Sequence, residues 1–492
     1  MSSKVELGDF QTPYDWAKDL TKILSTFEKK PNIVIEPTCG VGAFVRSACE
    51  IFPKAKIFGF DINSQYVETA KKDLAEHINV TVMCEDFFRG GKYSPIINNS
   101  EGHILFLGNP PWVTNSKLGL LGSDNLPDKK NSDLLRGIEA ITGKSNFDIS
   151  EWMIHRMLEC IQDRAGTIAM ICKSSVARKV LTYASNRKLK FGSGKFFPLN
   201  AKQVFNVSVD CGFFVFNSYQ PTVYDVEILS LDFKKNGKFG VRNNRMVSDV
   251  DNYGQWSFLD GVNLEKWRSG IKHDCSAVFE FKKEDKFFIN GNDEAVDIET
   301  DFLYPFLKSS DLANARVERG DRYVLVTQEN VGQDTSQISV RAPKTWAYLM
   351  SHKEQLDARK SSIYKNKPIF SIFGVGDYSF APWKIAISGL YKSVNFVKLS
   401  PQGGKQVMVD DTCYFIPCET EEEADVVLSL LQTRQAQLFL SSIIFWDAKR
   451  PISVDILQRL SLDLIPNKLA QSYKEIVSDK KLQGQLSLGI EL

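Results

Sequence analysis

Short apolar runs alternate with helical segments over residues 1–216, and this alternation limits the possible folds more than any other feature of the sequence. Each run is a few residues long and most are rich in Ile, Val and Phe, which is typical of strands buried on both faces of a sheet. Strands that alternate with helices predict a mostly parallel, doubly wound α/β sheet. The predicted strands are Ile33–Ile35, Ile57–Phe60, Val80–Met83, Ile104–Leu107 and Ile168–Cys172.

The rest of this first predicted domain contains two clear helices and one longer strand. The sequence predicts helices over Ser64–His77 and over Ile149–Ile161, and the apolar side chains of the second fall near one helical face. Val207–Phe216 follows another strand signal, so we expect an antiparallel pair at the edge of the sheet. The segment 217–222 is rich in turn residues, and we predict that the domain spans residues 1–218.

Residues 219–480 are predicted to form a second domain, because the regular alternation is lost there. Strand-like and helical segments mix in this half, which favours an α+β domain. The clearest segments are Tyr323–Thr327, Ile369–Phe373 and Tyr414–Ile416 for strands, and Glu421–Gln432 for a helix. We expect residues 481–492 to form a flexible tail.

Composition excludes several classes of protein. The chain has 492 residues, 43% hydrophobic and 25% charged, which is typical of a globular protein rather than a disordered or fibrous one. No apolar run of 18 residues occurs, so we expect no membrane span, and the amino terminus has no apolar signal core. Nine scattered cysteines form no CxxC motif, which indicates reduced thiols in an intracellular protein and no metal site.

A glycine-containing turn follows the first predicted strand, in the sequence Glu36-Pro-Thr-Cys-Gly-Val-Gly42. Such a turn lets a ligand approach the backbone, where the first amides of the next helix can meet it. Val45 replaces the third glycine of the dinucleotide-binding pattern, which argues against that fold. Asp61 ends the second strand, where a carboxylate can accept hydrogen bonds from both hydroxyls of a ribose.

A third carboxylate, Asp86, follows the third strand in Glu85-Asp-Phe-Phe, where it is placed to bind the amino group of an adenine. The alternative interpretation of Asp61 and Asp86 is that both cap helices.

The sequence Asn109-Pro-Pro-Trp112 comes directly after the fourth predicted strand. Two consecutive prolines fix the backbone and hold the Asn109 side chain and neighbouring carbonyls in one orientation. An amide oxygen beside a carbonyl gives two acceptors suited to a planar amino group, and the adjacent ring can stack on a base. The alternative is a rigid turn with Trp112 in the core.

The order of Gln11-Thr-Pro, the Glu36–Gly42 turn, Asp61, Asp86-Phe and Asn109-Pro-Pro-Trp resembles the S-adenosylmethionine-dependent N6-adenine DNA methyltransferases. It is similar to the gamma-class enzymes of restriction-modification systems, of the Thermus aquaticus type. The resemblance covers residues 10–216 by clear motifs and the second half only by position. It implies a Rossmann-like class I methyltransferase domain that uses S-adenosylmethionine on double-stranded DNA. It further implies a monomeric, prokaryotic cytoplasmic enzyme with a cognate restriction endonuclease.

The resemblance also implies roles for individual residues. In catalysis, Asn109 and the carbonyl of Pro110 accept hydrogen bonds from the target amine, Pro111 stiffens the turn, and Trp112 stacks on the flipped base. Phe205, in Gln203-Val-Phe-Asn-Val-Ser, is a second stacking ring by this resemblance, or an ordinary core residue. The residues implied in cofactor binding are Thr12, Glu36, Thr38, Gly40, Gly42, Asp61, Ile62, Asp86, Phe87 and Asn109.

A basic stretch in the second half favours DNA recognition there. The net charge is only +1, but Arg341 to Gln406 contain 11 Lys or Arg against 3 acidic residues. Cations interleaved with aromatic residues can bind a phosphate backbone, although a solvated surface is the alternative. We predict that residues 219–480 are a target-recognition domain. The predicted DNA-contacting residues are Lys365, Lys367, Lys384, Lys405, Lys449 and Arg450.

Other functions remain open at this point. Asn-Pro-Pro-aromatic also occurs in enzymes that methylate a release-factor glutamine or the N2 amine of a ribosomal guanine, which present a similar planar amine. A bifunctional restriction enzyme and a non-catalytic DNA-binding subunit are further alternatives. The intact tetrapeptide at residues 109–112 disfavours the non-catalytic subunit.

Overall fold

The computed structural model describes residues 10–87, 93–99, 101–113 and 148–487. It divides the chain into two compact units, Met1–Asp251 and Asn252–Leu492. The predicted domain boundary at residue 218 is therefore wrong. The turn at 217–222 joins two strands of the same sheet, and the last three strands of that sheet come after this turn. Within the described ranges, no helix is long and apolar enough to cross a membrane.

Unit 1 is built on one ten-stranded sheet with the order β10-β9-β8-β6-β7-β5-β4-β1-β2-β3. Its strands are β1 Ile33–Glu36, β2 Lys56–Asp61, β3 Val80–Cys84, β4 Ile104–Gly108, β5 Gly166–Lys173, β6 Gly192–Asn200, β7 Asp210–Asn217, β8 Asp225–Leu229, β9 Lys235–Arg242 and β10 Arg245–Val247. Its helices are α1 Tyr14–Ser25, α2 Ala43–Ile51, α3 Ser64–Asp73, α4 Tyr93–Asn98, α5 Ile149–Cys160, α6 Ser174–Asn186 and α7 Ala201–Phe205, and α8 Val250–Trp256 crosses the unit boundary.

The pairing of the strands confirms the predicted doubly wound α/β fold. Strands β1 to β5 are all parallel to one another, and β7 runs antiparallel between β5 and β6. The expected antiparallel pair is present but not at the edge of the sheet, because β8 pairs in parallel with β6. Every residue of β4 is buried, as a central strand covered by helices on both faces requires.

Unit 2 mixes helices with two sheets, which agrees with the predicted α+β class. The sheet orders are β11-β20-β17-β18 and β14-β13-β12-β16-β15-β19. The strands are β11 Arg268–Ser269, β12 Glu280–Glu284, β13 Phe287–Asn290, β14 Ala295–Val296, β15 Leu303–Leu307, β16 Arg322–Leu325, β17 Trp383–Ser388, β18 Val397–Leu399, β19 Met408–Val409 and β20 Cys413–Cys418. The helices are α9 Ser276–Phe279, α10 Ser309–Ala313, α11 Ile338–Arg341, α12 Pro343–Ser351, α13 Lys353–Asp357, α14 Glu421–Leu431, α15 Arg434–Ile443, α16 Val454–Gln458 and α17 Leu469–Ser487, with 3-10 turns at Ser257–Leu259, Ser362–Tyr364, Asp377–Phe380 and Leu462–Leu464.

Two sequence predictions for this unit are wrong. Ile369–Phe373 is not a strand, because Phe370 has a left-handed backbone with φ 59° and only Phe373 forms an isolated bridge, to Lys272. The predicted tail at 481–492 begins too early, because α17 continues to Ser487. Its buried Tyr473 hydroxyl lies 3.1 Å from Asn263 Oδ1 and anchors the helix to the unit. Residues 488–492 lie outside the described residues.

Candidate active site

The carboxyl ends of four parallel strands bring the predicted site residues to one edge of the unit 1 sheet. Strand β1 ends at Glu36, β2 at Asp61, β3 at Cys84 and β4 at Gly108, and β1 lies between β2 and β4. Ligands of open α/β sheets bind outside these carboxyl ends. The residues that follow the strands therefore define the candidate site.

The turn after β1 is held by Asp61 and by backbone bonds. The Gly40 amide donates to Asp61 Oδ2 at 2.8 Å, and the Asn63 amide donates to Asp61 Oδ1 at 2.8 Å. Gly40 has a φ of 52°, and a Cβ atom there would lie 2.2 Å from Gln11 Oε1. The Gln11 side chain also accepts a hydrogen bond of 3.3 Å from the Val41 amide. The left-handed backbone therefore favours glycine where the amino-terminal segment crosses the turn.

Asp61 does not cap the following helix. Asn63 has that role, since its side chain accepts hydrogen bonds from the Gln65 and Tyr66 amides at the start of α3. Asp61 is only 9% exposed and sits at the end of β2, where the prediction placed a ribose ligand. A carboxylate can accept about four hydrogen bonds, so the bonds from the Gly40 and Asn63 amides do not exclude ribose donors.

Glu36 is buried beneath the same turn. Its Oε2 accepts a hydrogen bond of 2.9 Å from the Val45 amide in the first turn of α2. Burial raises the pKa of Glu36 well above its usual range, and the negative charge of Asp61 adds to this, although the Val45 amide opposes it. Glu36 thus anchors the amino end of α2 behind the turn.

The predicted cofactor-binding residues that follow β2 and β3 differ in accessibility. Ile62, next to Asp61, is 56% exposed, which leaves an apolar side chain available to cover a flat ring. Asp86 is partly buried. Phe87 is buried and its ring packs edge-on against Trp152, with the ring centroids 6.4 Å apart.

The Asn109 amide is held from one side only. Its Nδ2 donates to the carbonyl of Phe10 at 2.9 Å and to Thr12 Oγ1 at 3.3 Å. Its Oδ1 is buried and has no hydrogen-bond partner among the described residues. Behind it, the Thr38 hydroxyl donates to the Asn109 carbonyl at 3.4 Å. A buried acceptor without a partner costs free energy unless a ligand supplies the donor.

Three aromatic rings lie together beside Asn109. The Trp112 ring centroid is 5.1 Å from that of Phe205 and 5.5 Å from that of Phe10. Phe205 is the last residue of α7, and the left-handed Asn206 ends that helix. Trp112 is only 6% exposed, and its Nε1 is also buried without a partner among the described residues. The structure therefore brings together Asn109, Trp112 and Phe205 as predicted.

The sequence interpretation did not assign roles to Phe10 and Gln11. Both lie directly before α1, and their contacts are with residues 30 or more positions later in the chain. The only sequence signal was the Gln11-Thr-Pro motif ahead of the first helix, which indicated a segment near the site but not these contacts.

Two of the predicted DNA-contacting residues in unit 2 are wrong. Lys384 is 2% exposed, its Nζ donates to the Ala381 carbonyl at 2.8 Å, and burial lowers its pKa to about 7. Lys405 donates to the carbonyls of Thr300, Asp301 and Leu303, so its ammonium connects backbone within unit 2. The Lys384 ammonium is buried, and the three donors of the Lys405 ammonium are taken up by backbone carbonyls.

The remaining predicted contacts are compatible with a surface role. Lys365, Lys367 and Lys449 are exposed. Arg450 is exposed as well, and it lies 3.7 Å from Asp411 Oδ2, a distance at which an exposed pair contributes little.

Comparison with known proteins finds similar sequences and similar structures, while no family model matches the chain. The chain is 42% identical over 474 residues to the type II methyltransferase M.NspV of Nostoc sp. (strain ATCC 29411 / PCC 7524), covering 94% of this chain and 98% of that protein. It is 22% identical over 332 residues to the modification methylase CviBIII of Paramecium bursaria Chlorella virus NC1A, covering 66% and 71%. Its fold is similar to that of the type IIL restriction-modification enzyme MmeI in complex with DNA, with a TM-score of 0.52 and 14% identity, covering 94% of this chain and 67% of that one.

The edge described above fits S-adenosylmethionine, the cofactor of this chain. A strand-end carboxylate at Asp61, the exposed Ile62 beside it and the Gly40 turn supply a ribose acceptor, an apolar cover and a close backbone approach. The identity to M.NspV extends over nearly the whole of both proteins. The chain therefore belongs to the type II methyltransferases of restriction-modification systems.

Proposed function

We propose that this chain methylates the N6 atom of an adenine rotated out of duplex DNA. The observation that carries the proposal is the Asn109 Oδ1 atom, which the fold buries and leaves without a partner among the described residues. It lies after β4, at the sheet edge that also carries Asp61 and the Gly40 turn. The motif order that resembles N6-adenine methyltransferases supports adenine as the target.

The chemistry required of the protein is to make an exocyclic amine nucleophilic. The lone pair of such an amine is delocalised into the ring, and two acceptors fixed around it favour a pyramidal nitrogen. Asn109 Oδ1 and the Pro110 carbonyl are these acceptors in our proposal, and both are held in place before the substrate arrives. Bound S-adenosylmethionine would supply an electrophilic methyl group, whose bond to the sulfonium sulfur breaks as the N–C bond forms, so that the sulfur leaves as the thioether of S-adenosylhomocysteine. The two acceptors hold the amine protons during attack, and one proton leaves to water afterwards.

The aromatic rings bind the base in this proposal. Trp112 and Phe205 provide stacking surfaces, which contribute about 1–3 kcal/mol per base. That scale offsets the few kcal/mol needed to unstack and unpair a base in the duplex. Because Trp112 packs on Phe205 and on Phe10 with centroids 5.1 and 5.5 Å away, the incoming base has to enter between rings that touch one another here.

The cofactor site of the proposal keeps the residues implied by the resemblance. Asp61 binds the ribose hydroxyls, Ile62 and Phe87 flank the adenine, and Asp86 accepts from its amino group. The methionine end lies along the turn. The residues assigned there are Glu36, Thr38, Gly40, Gly42 and Asn109, whereas Thr12, which the resemblance also implies, bonds to the Asn109 side chain.

We further propose that unit 2 recognises the target sequence. Exposed cations at Lys365, Lys367, Lys449 and Arg450 are available for phosphates. The structure of MmeI, which has a similar fold over 94% of this chain, contains DNA. A single chain with both units acts as a monomer in this proposal, beside a separate cognate endonuclease.

The experiment that tests the function identifies the methylated product. Duplex DNA is incubated with S-adenosylmethionine and the protein, digested to nucleosides and measured by mass spectrometry. We expect N6-methyladenine with the wild-type chain, and only a trace with Asn109→Ala. Because cytosine carries a planar amine that fits the same acceptors, N4-methylcytosine with unmodified adenine would contradict the proposal. Methylation of guanine N2 or of a protein glutamine instead of adenine would contradict it equally.

A further inference from the structure

The two groups that bind the Asn109 amide come from the amino-terminal segment and not from the sheet. The Phe10 carbonyl accepts from Asn109 Nδ2 at 2.9 Å, and Thr12 Oγ1 accepts at 3.3 Å. Both accept a hydrogen bond here and both lie on the Nδ2 side of the amide, although only the Phe10 carbonyl is unable to donate. The opposite end, Oδ1, is the buried atom without a partner among the described residues.

An asparagine side chain has nearly the same shape when its amide is rotated by half a turn. Rotation exchanges the oxygen for a nitrogen that donates two hydrogen bonds. At this site the rotated amide would turn its oxygen toward the Phe10 carbonyl, which cannot donate, and its own donors toward the target amine. The first change loses the bond to Phe10, while the Thr12 hydroxyl could still donate to the rotated oxygen, and the second change places donor against donor. The Phe10 carbonyl therefore selects the catalytically useful orientation, and Thr12 Oγ1 adds a second bond that holds Nδ2 in place.

We infer that Thr12, together with the Phe10 carbonyl, is a positioning group that keeps Asn109 Oδ1 directed at the target amine. This inference rests on the proposed function, since it concerns the acceptor that the function requires. It differs from the role that the resemblance implies for Thr12, which is contact with the methionine part of the cofactor. A positioning role predicts a slower methyl transfer on substitution of Thr12, whereas a cofactor contact predicts weaker binding of S-adenosylmethionine.

The rest of the segment explains why Thr12 can hold a fixed place although it precedes the first helix. The Gln11 side chain accepts from the Val41 amide at 3.3 Å, and the Phe10 ring packs on Trp112. Residues 10 and 11 are thus attached to the cofactor turn and to the aromatic rings. Of these three residues, Thr12 is the one whose side chain bonds directly to Asn109, so its substitution removes that bond without changing the backbone.

The test compares Thr12→Val with Thr12→Ser. Valine keeps the shape of threonine but cannot accept a hydrogen bond, whereas serine can. We expect Thr12→Val to slow single-turnover methyl transfer about tenfold, the scale of one hydrogen bond left unmade, and Thr12→Ser to retain most of the rate. We expect the dissociation constant for S-adenosylmethionine, measured by calorimetry, to stay unchanged in both. Thr182→Val is the matched control, because Thr182 is also partly buried and its hydroxyl bonds to the Arg178 carbonyl, in α6.

A double-mutant cycle with Asn109→Ala separates positioning from other roles. Once Asn109 is gone, Thr12→Val has no amide to orient, and its tenfold effect should disappear. An effect that persists in the Asn109→Ala background would overturn the inference. A loss confined to cofactor affinity would overturn it as well, and would assign Thr12 to the cofactor. If Thr12→Val has no effect while Asn109→Ala is slow, the inference alone fails. If Asn109→Ala keeps its full rate, the proposed function itself fails.

Discussion

Polar groups at the carboxyl edge of the unit 1 sheet and in the basic stretch of unit 2 differ in whether they have hydrogen-bond partners within the protein. At the edge, Asn109 Oδ1 and Trp112 Nε1 are buried and lack partners among the described residues. In the stretch from Arg341 to Gln406, the fold itself uses several of the cations. Lys384 and Lys405 bind backbone carbonyls, and Lys398 is ion-paired with Glu421 and Asp425.

This difference separates structural groups from groups placed for a ligand. A donor whose protons are all bonded within the protein has none left to hold a substrate. A buried acceptor that is oriented and left unsatisfied costs stability, and such costs are found at functional sites. The count of 11 cations against 3 acidic residues in the stretch therefore overstates what is available to DNA.

The largest expected effect is on the rate of methyl transfer and comes from Asn109, at the carboxyl edge of the unit 1 sheet. Asn109→Ala removes the unsatisfied acceptor, and losing one preorganised dipole slows the chemical step about 10²–10³-fold. Single-turnover methyl transfer measures this directly. Asn79→Ala is the matched control, because the Asn79 amide also donates to a backbone carbonyl, that of Ala55 at 2.9 Å, but lies before β3 at the other end of the strand. Equal rates for the two variants would remove the contrast between the regions.

The second effect concerns the carboxylate of the same edge. Asp61→Ala removes both the proposed ribose acceptor and the acceptor of the Gly40 amide. We expect S-adenosylmethionine to bind about 10- to 100-fold more weakly, which is the scale of a charge-assisted hydrogen bond. Calorimetry on the full chain gives the affinity, with Glu68→Ala on the exposed face of α3 as control. An unchanged affinity would remove Asp61 from the cofactor site.

The third effect is on the salt dependence of DNA affinity and concerns the exposed cations of unit 2. Replacing Lys365, Lys367, Lys449 and Arg450 with glutamine should lower the dependence of DNA affinity on salt by about one unit of logarithmic slope for each phosphate that the variant no longer binds. Lys398→Gln with Lys405→Gln is the control from the same half, because both ammonium groups are paired within unit 2, Lys398 with Glu421 and Asp425 and Lys405 with three backbone carbonyls. If the paired lysines change the slope as much as the exposed ones, the distinction between used and available cations is wrong.

The smallest effect is on stability and concerns Lys384. Burial lowers its pKa to about 7, with Cys418 and Glu419 raising it slightly and the Phe415 ring close by. Between about pH 7 and pH 10 the unfolded chain keeps this proton and the folded chain releases it. Stability from this group therefore rises with pH, by about 1 kcal/mol per pH unit.

Lys384→Met removes the titrating group and should remove that rise. The free energy of unfolding of the variant minus that of the wild type, measured by denaturant between pH 7 and pH 8.5, should fall as pH increases. DNA affinity should stay unchanged. A flat difference, or a loss of DNA affinity, would show that Lys384 is not buried as described.

The positions of Asp61 and Asn109 at the ends of strands could be predicted because the sequence signals for them are local. Strand ends, a glycine turn and two prolines each follow from a few neighbouring residues, so Asp61 and Asn109 could be placed before the fold was known. The contacts of Phe10 and Thr12 with Asn109 join residues nearly 100 positions apart, and no short pattern contains them. The same limit explains Lys384 and Lys405, since a lysine in a charge count gives no information about the carbonyls that surround it. It also explains the error in the predicted unit boundary, because the pairing of β8 with β6 is made in the assembled sheet and is not evident from the local turn at residues 217–222.

The proposed function depends most on one contact, between Asn109 Oδ1 and the target amine. A crystal structure of the full chain with a non-reactive cofactor analogue and a duplex containing the methylated site, identified first by methylation-sensitive sequencing, measures that contact. We predict that the amine nitrogen of the rotated adenine lies about 3 Å from Asn109 Oδ1, with Nδ2 still bonded to Phe10 and Thr12. An adenine left in the duplex, or an Oδ1 atom bonded to another protein group while the base lies elsewhere, would contradict the account.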